Sequence, residues 1–323
     1  MPCVSVVIPN YNHAAYLQQR IESVIHQTFE DFEVIILDDC STDNSKTIIE
    51  QYRQHPKVEH IVYNETNGGS VFKQWQKGIQ LAKGDYIWIA ESDDWAALEF
   101  LSKLMPAFTH TNTGLAFCNS YQVDEYSNVL SEHLTIYPDN FKLPGSHDKI
   151  VWAGKNFISE YLIYNNVIPN ASAVLFKAEA LKRINFDDVR MRVAGDWYVY
   201  AAVLEHYDIC GFFKPMNYFR SHQNSVRTKK KFISTDIVDM YCVLQKMMKI
   251  LNINVNQLPQ KQPYFLAEWY ILSLCNTAVF TSNYFNLLKM FSKINPIERK
   301  LLKKALVQYA RLFKYTLSQH LSK

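Results

Sequence analysis

The chain has 323 residues, of which 48% are hydrophobic and 14% aromatic, and its formal net charge is +3 at pH 7. This length and composition exclude an intrinsically disordered chain and predict one large folded domain or two smaller ones. The six cysteines are scattered without a CxxC pair, which argues against a disulfide framework and favours free thiols in a reducing compartment, the cytoplasm.

The first half of the sequence alternates between strand and helix patterns. Strands are predicted at "VSVVIP", "FEVIILDD", "VEHIVY" and "GDYIWIA", and helices from Ala14 to about His26, at "KTIIEQYRQ" and at "VFKQWQKGIQLA". Alternation of strands and helices of these lengths is typical of right-handed βαβ units. The unbroken apolar runs indicate strands that are buried on both faces. The sequence therefore predicts an α/β fold with a mostly parallel central sheet flanked by helices.

The alternation of strands and helices becomes irregular after the next predicted strand, "LAFCNSY". Residues from about Asp124 to Gly154 are rich in polar and turn residues and are predicted to form a long loop. Beyond Thr228 the sequence predicts three or four helices, including an apolar core helix within Tyr264–Phe280 that is too short to span a membrane. We therefore predict a catalytic domain over residues 1–228 and a helical, basic region over residues 229–323.

The two ends of the chain differ strongly in charge. Residues 1–220 carry 18 Lys and Arg against 27 Asp and Glu, whereas residues 221–323 carry 16 against 4. From Pro296 onward, apolar residues lie along one helical stripe flanked by Lys and Arg. Two alternatives stay open for this helix: peripheral docking on the anionic inner face of the cell membrane, or packing on its own domain with a solvated basic face. We expect no nucleic-acid partner.

Three predicted strands end in polar side chains that are able to bind a ligand. These are Asn10, Tyr11 and Asn12 after the first strand, Asp38 and Asp39 at the end of the second, and Glu91, Asp93 and Asp94 after the fourth. Ligands of open parallel sheets bind beyond the carboxyl ends of the strands. A helix cap needs one acceptor and not three, so the acids after the fourth strand predict a hard divalent cation that holds a diphosphate.

The other acids divide between structural and binding roles. Asp38 and Asp43 are expected to cap turns or helices, whereas Asp39 could accept the N3–H of a uracil or thymine ring flanked by Tyr11. No G-x-G-x-x-G follows the first strand and no G-x-x-x-x-G-K-[ST] occurs. The dinucleotide fingerprint and the ATP-binding P-loop are therefore both excluded.

The stretch "VSVVIPNYNHAAYLQQRIESVIHQTFEDFEVIILDDCSTDNS", followed by "NGGSVFKQWQKGIQLAKGDYIWIAESDD", resembles the nucleotide-sugar domain of family 2 inverting glycosyltransferases, which have the GT-A fold. The resemblance covers roughly residues 3–120. It implies a nucleotide-sugar donor held by Pro9, Tyr11, Asn12 and Asp39, with Asp93 facing the ribose. It also implies that Asp94 binds Mn²⁺ or Mg²⁺ at the diphosphate.

From residue 120 to about residue 228 the resemblance is weaker. The segment "AGDWYVYAAVLEH" matches the one whose acid is the catalytic base, commonly in a Glu-Asp pair; here Gly195 replaces the Glu, so only Asp196 takes that role. "YFRSHQNSVR" resembles the segment that returns over the diphosphate, which would place Arg220 at the nucleotide and His222 at the metal. Trp95 and Trp197 are expected to be core residues, with stacking on a sugar as the alternative.

The function hypothesis is an inverting glycosyltransferase that uses a UDP-sugar, with a dTDP-sugar second, and a saccharide or lipid-linked acceptor. Two alternatives stay open: a non-catalytic protein that binds nucleotide sugars, and a sugar nucleotidyltransferase. The second alternative would need a Gly- and Arg-rich loop after the first strand, where the sequence has "PNYNHAAY".

Overall fold

The computed structural model describes residues 2–132, 149–189, 191, 194–222, 234–253 and 257. The chain divides into two units, Met1–Ser225 and Val226–Lys323. The predicted core helix within Tyr264–Phe280 and the basic helix from Pro296 lie outside the described residues, so both stay predictions. Among the described helices, none is long and apolar enough to cross a membrane.

The first unit holds all the described strands and seven of the eight described α-helices. The strands are β1 (Val4–Asn10), β2 (Phe32–Asp38), β3 (Val58–Tyr63), β4 (Tyr86–Ile89), β5 (Trp95–Ala96), β6 (Thr113–Val123), β7 (Val129–Ser131), β8 (Lys149–Trp152), β9 (Val174–Lys177) and β10 (Asp208–Arg220). The helices are α1 (Ala14–Ile25), α2 (Ser45–Glu50), α3 (Val71–Leu81), α4 (Phe100–Leu104), α5 (Gly154–Phe157), α6 (Ala178–Lys182) and α7 (Gly195–Leu204). In the second unit the structure describes α8 (Ser234–Leu251).

The ten described strands form one sheet in the order β3-β2-β1-β4-β9-β6-β10-β5, with β7 beside β6 and β8 beside β10. Strands β3, β2, β1 and β4 pair in parallel. Strand β9 is antiparallel to both β4 and β6, and β10 is parallel to β6. Strands β1, β2, β3, β4, β6 and β10 therefore point in one direction, which confirms the predicted mostly parallel sheet.

Helices cover both faces of this sheet, as the apolar runs in the strands predict. Every residue of β1 and β2 is buried. Helix α1 places Leu17, Ile21 and Val24 in one core cluster with alternate residues of β1. Helix α3 packs on the opposite face, where a Cβ at Gly78 would lie 2.3 Å from Cγ1 of Val7. Only glycine allows so close an approach of α3 to β1. Burial of each Val, Leu or Ile side chain in this core stabilises the folded state by about 1.5–3 kcal/mol.

Two predicted elements differ from the structure. Helix α2 ends at Glu50, so the predicted extension to Gln54 is wrong and is replaced by turns. The predicted loop from Asp124 contains the short strands β7 and β8, while residues 133–148 lie outside the described range. The carboxylate of Asp124 accepts N–H bonds from Tyr126 and Asn128 and forms the turn that returns β7 to β6. Strand β7 forms a local hairpin with β6, whereas β8 pairs with the distant β10, a pairing that local sequence patterns do not encode.

Candidate active site

The carboxyl ends of the parallel strands meet at one edge of the sheet. Strands β1 and β2 end side by side, with Asn10 opposite Asp38, and the last pair between β1 and β4 is Val7 with Ile89. Strand β10 runs parallel to β6 and ends at Arg220, two residues before His222. The expectation that the three polar strand ends share one edge is confirmed, and the fold brings the end of β10 to the same edge.

The carboxylate of Asp39 is held in one orientation at this edge. Its Oδ1 accepts hydrogen bonds from Asn64 Nδ2 at 2.6 Å, from the backbone N of Gly68 at 2.8 Å and from Gln74 Nε2 at 2.8 Å. Its Oδ2 accepts none from the residues that the structure describes. None of these three donors is predicted from the sequence, in which the polar residues around "NETNGGS" and in the first turns of α3 are the available signal.

The loop after β1 is tied to the loop after β2. Asn12 adopts a left-handed conformation with φ of 56°. Its backbone N donates to Ser41 Oγ at 2.9 Å, and its Oδ1 accepts from the backbone N of Thr42 at 2.7 Å. Pro9 is buried in β1 opposite Leu37, whereas Tyr11 is 45% exposed. Tyr11 is therefore accessible at the edge, while Asn12 fixes the conformation of the loop that carries it.

Asp38 and Asp43 have the structural roles that the sequence suggests. Asp38 Oδ1 accepts from the backbone N of Ser41 at 2.9 Å, and its Oδ2 accepts from Asn10 Nδ2 at 2.8 Å. Asp43 Oδ2 accepts from the backbone N of Ala14, the first residue of α1, at 2.8 Å. The hydrogen bonds to Asp43 lower the pKa of its carboxyl against the opposing effect of burial. Both carboxylates stabilise turns rather than facing a ligand.

Asp93 and His222 form a pair across the strand ends of β4 and β10. His222 Nε2 lies 3.2 Å from Asp93 Oδ2, and the His222 side chain is nearly buried whereas that of Asp93 is 21% exposed. His13 joins them: one ligand atom from each of His13, Asp93 and His222 lies within 4.8 Å of the other two. Burial acts to raise the pKa of Asp93, but the hydrogen bond to His222 and the nearby His13 outweigh it and lower the pKa.

Asp94 lies beside this pair but is held by other groups. Its Oδ1 accepts from the backbone N of Arg220 at 3.0 Å, and its Oδ2 accepts from Asn170 Nδ2 at 2.7 Å. Burial, followed by the negative charge of Asp93, raises the pKa of the Asp94 carboxyl. The resemblance implies Asp94 and His222 as metal ligands, whereas in the structure it is the carboxylate of Asp93 that contacts His222.

Glu91 is the third acid of the cluster. Its Oε1 accepts from Trp75 Nε1 at 2.8 Å, and burial together with Asp93 raises the pKa of its carboxyl to about 8. The guanidinium of the fully buried Arg20 donates from Nε to the Glu91 carbonyl at 2.8 Å. Among the described residues, Nη1 and Nη2 of Arg20 find no hydrogen-bond partner, and burial lowers the pKa of Arg20 to about 10. A positive charge therefore lies beneath the acids, signalled in the sequence only by an Arg between the apolar positions of α1.

Arg220 joins the cluster to the turn that follows β6. Its Nε donates to the carbonyl of Asp93 at 2.9 Å, and its Nη1 donates to the carbonyls of Asp124 and Glu125, both at 3.2 Å. The guanidinium carbon lies 4.4 Å from the ring centroid of Tyr16 and 4.7 Å from that of Trp95. Only 1% of Arg220 is exposed. This geometry favours a positioning role over the direct nucleotide contact that the resemblance implies.

Asp196 is the second residue of α7, as the helical pattern after Gly195 predicts. Its Oδ1 accepts from the backbone N of Trp197 at 2.7 Å, and Asn166 Nδ2 lies 3.4 Å from its Oδ2. A carboxylate in the first turn of a helix is stabilised in its ionised form by the helix dipole. Trp197 is a buried residue whose Nε1 donates to the Leu162 carbonyl at 3.1 Å, as expected for a core position.

The structure accounts for the glycine that precedes Asp196. A Cβ built at Gly195 would lie 2.3 Å from both Cε2 and Cζ of Phe72. The Phe72 ring packs edge-on against Trp75, with centroids 5.0 Å apart and an interplanar angle of 65°. Phe72 therefore fills the space in which the side chain of a glutamate at position 195 would begin.

Comparison with known proteins agrees with this architecture. The family model "Glycosyl transferase family 2" matches residues 5–178. The putative teichuronic acid biosynthesis glycosyltransferase TuaG of Bacillus subtilis is 34% identical over 148 residues, which are 44% of this chain and 58% of the relative. The glycosyltransferase GlyG of Streptococcus pneumoniae is 33% identical over 122 residues, which are 38% of this chain and 40% of the relative. The chain thus spans about half the length of these curated relatives.

Two solved structures share the fold. Staphylococcus aureus TarS (residues 1–349), crystallised with UDP-GlcNAc, aligns with a TM-score of 0.56 and 22% identity over 95% of this chain and 80% of TarS. A mannosyltransferase from Pyrobaculum calidifontis, in complex with GDP-Man and Mn²⁺, aligns with a TM-score of 0.55 and 15% identity over 96% of this chain and 86% of that one. The GT-A fold is confirmed, and since the family model covers more than half of its length, the chain belongs to glycosyl transferase family 2.

Proposed function

We propose that the protein is a metal-dependent, inverting glycosyltransferase that moves a sugar from a UDP-sugar, with a dTDP-sugar second, to a hydroxyl of a saccharide or lipid-linked acceptor in surface polysaccharide assembly. The observation that carries the proposal is the oriented carboxylate of Asp39 at the same sheet edge as the Asp93–His222 pair. A relative is named for teichuronic acid biosynthesis, and another is a poly(ribitol-phosphate) β-glucosyltransferase.

Asp39 would recognise the base. Three donors fix its Oδ1, so its Oδ2 is the oxygen that would accept a hydrogen bond from a ligand. The N3–H of uracil or thymine is a donor, whereas N3 of cytosine is an acceptor and would face the carboxylate unfavourably. The exposed ring of Tyr11, after the neighbouring strand end, would flank the base. UDP and dTDP should therefore bind, and CDP should not.

The residues present fit a divalent cation. Two ligand atoms that each lie about 2.1 Å from an ion at right angles are about 3.0 Å apart. The separation of 3.2 Å between His222 Nε2 and Asp93 Oδ2 is close to that value. We propose that Asp93 and His222 hold Mn²⁺ or Mg²⁺, and that Asp94 positions this pair through the backbone of Arg220. A bound cation would supply positive charge to the departing diphosphate.

Asp196 would act as the general base. As the acceptor hydroxyl attacks the anomeric carbon from the face opposite the diphosphate, its proton passes to the Asp196 carboxylate. The new glycosidic bond forms while the bond between the anomeric carbon and the diphosphate oxygen breaks, so one displacement inverts the configuration. Because Asp196 lies in the first turn of α7, the helix dipole would favour the carboxylate form, which is the form that accepts a proton.

A thermal-shift panel with UDP, dTDP, GDP and CDP, each with and without Mn²⁺, tests the donor assignment. A nucleotide at about a hundred times its dissociation constant should raise the free energy of unfolding by about 2.7 kcal/mol. We expect UDP with Mn²⁺ to give the largest shift and Asp39→Asn to lose it. Asp31→Asn is the matched control, because Asp31 is exposed and precedes the first residue of β2, at the end of the strand away from Asp39. Equal shifts with CDP or GDP, or an unchanged response of Asp39→Asn, would contradict the proposal.

A further inference from the structure

His13 lies at the N-terminus of α1, where histidine is not a residue type that stabilises a helix. It is the N-cap residue of α1, yet its side chain makes no capping hydrogen bond. Ser, Thr, Asp and Asn are the residues that stabilise this position. The capping acceptor comes instead from another loop, because Asp43 Oδ2 accepts from the backbone N of Ala14. The imidazole of His13 is therefore left for a different role.

The imidazole is directed at the acid cluster. Its Nδ1 lies 2.8 Å from Ser92 Oγ, which fixes the orientation of the ring. The ring is perpendicular to that of His222, with centroids 5.6 Å apart and an interplanar angle of 89°. In metal sites, a hydrogen bond at one ring nitrogen orients the other toward the ion. Together with Asp93 and His222, His13 forms the group whose ligand atoms lie within 4.8 Å of one another.

We propose that His13 is a third protein ligand of the divalent cation, so that two imidazoles and one carboxylate bind it. This inference rests on the metal site proposed above at Asp93 and His222. Mg²⁺ takes oxygen ligands, whereas imidazole nitrogen favours first-row transition metals. The ion is therefore a transition metal such as Mn²⁺ in preference to Mg²⁺, and the site binds it before the nucleotide arrives.

Pulsed electron paramagnetic resonance of the Mn²⁺ complex counts the nitrogen atoms bound to the ion. We expect two for the unaltered protein, and one for both His13→Phe, which retains a ring, and His13→Asn, which retains a good helix cap. Mn²⁺ affinity without nucleotide should fall at least about tenfold in both variants. Mg²⁺ affinity should change less, so the preference for Mn²⁺ over Mg²⁺ should narrow. His26→Phe removes an exposed histidine from the end of the same helix. It should change neither the number of bound nitrogens nor the affinity for Mn²⁺.

The outcomes separate this inference from the proposed function. If both His13 variants keep two bound nitrogens and full Mn²⁺ affinity while Asp93→Asn and His222→Phe lose them, His13 is not a ligand and the proposed metal site stands. If Asp93→Asn and His222→Phe also bind Mn²⁺ as the unaltered protein does, or the unaltered protein binds none, the metal site is misassigned and the inference falls with it. UDP affinity without metal and the melting temperature check that each variant is folded.

Discussion

Replacing Gly195 by alanine should destabilise the protein through one identifiable contact. The added Cβ would lie 2.3 Å from two carbons of the Phe72 ring and 3.0 Å from a third. Phe72 is buried, and the ring has little room to move because it packs on Trp75, whose Nε1 donates to Glu91. Overpacking of this kind costs about 1–3 kcal/mol, against which alanine gains up to about 1 kcal/mol in helix propensity.

The middle of each range gives a net loss of about 1.5 kcal/mol, and for a unit of this size each kcal/mol corresponds to about 2–4 °C in melting temperature. Urea or thermal unfolding of Gly195→Ala measures the loss, and a double-mutant cycle with Phe72→Leu attributes it. In the Phe72→Leu background the alanine should cost much less, which gives a coupling energy of at least about 1 kcal/mol. A Gly195→Ala variant as stable as the unaltered protein, or an equal cost in both backgrounds, would refute the account of why glycine stands there.

The other predictions concern the base, the metal, Arg220 and the C-terminal region. Asp196→Asn should melt and bind UDP like the unaltered protein, yet lose about 10²–10⁴-fold in turnover; near-normal transfer would make Asp196 only a structural residue. Asp93→Asn should abolish the stabilisation of the UDP complex by Mn²⁺ while Asp94→Asn retains part of it, and the reverse order would restore the metal to Asp94. Arg220→Lys should lose about 1–3 kcal/mol of stability in urea unfolding, since lysine leaves buried carbonyl acceptors without a donor; unchanged stability would contradict this. If the basic region from Pro296 docks on membranes, the protein should pellet with anionic but not with neutral vesicles; equal pelleting, or none, would remove that hypothesis.

Much of the first unit follows from local sequence patterns. The strands β1 to β4 and the helices α1 and α3 lie within a residue or two of their predicted positions, because their apolar periodicities are strong and parallel strands obey a topological rule. The same rule brings the residues at the ends of β1, β2 and β4 to one edge. Strand β9, which enters the sheet antiparallel between β4 and β6, is not predictable in this way because its place depends on long-range pairing.

The site itself is predictable only in part. Adjacent residues of a turn point to different sides, so sequence alone does not decide whether Asp93 or Asp94 contacts His222; the turn after β4 and the end of β10 decide it. The proposed role of His13 at the metal has no signal in the sequence other than an unusual residue type at a helix N-cap. The glycine at position 195 is visible in the sequence, but its cause, the Phe72 ring from a distant helix, exists only in three dimensions.

Inverting transfer is the central claim, and the configuration of the first sugar released tests it most directly. In the absence of acceptor and with Mn²⁺ present, water at the site should slowly hydrolyse an α-linked UDP-sugar, chosen as one that raises the melting temperature of the protein. Proton nuclear magnetic resonance, recorded before mutarotation, should show the β anomer first, and Asp196→Asn should show almost no release. If the α anomer appears first, the sugar has kept its configuration, and the single-displacement mechanism with Asp196 as base is wrong.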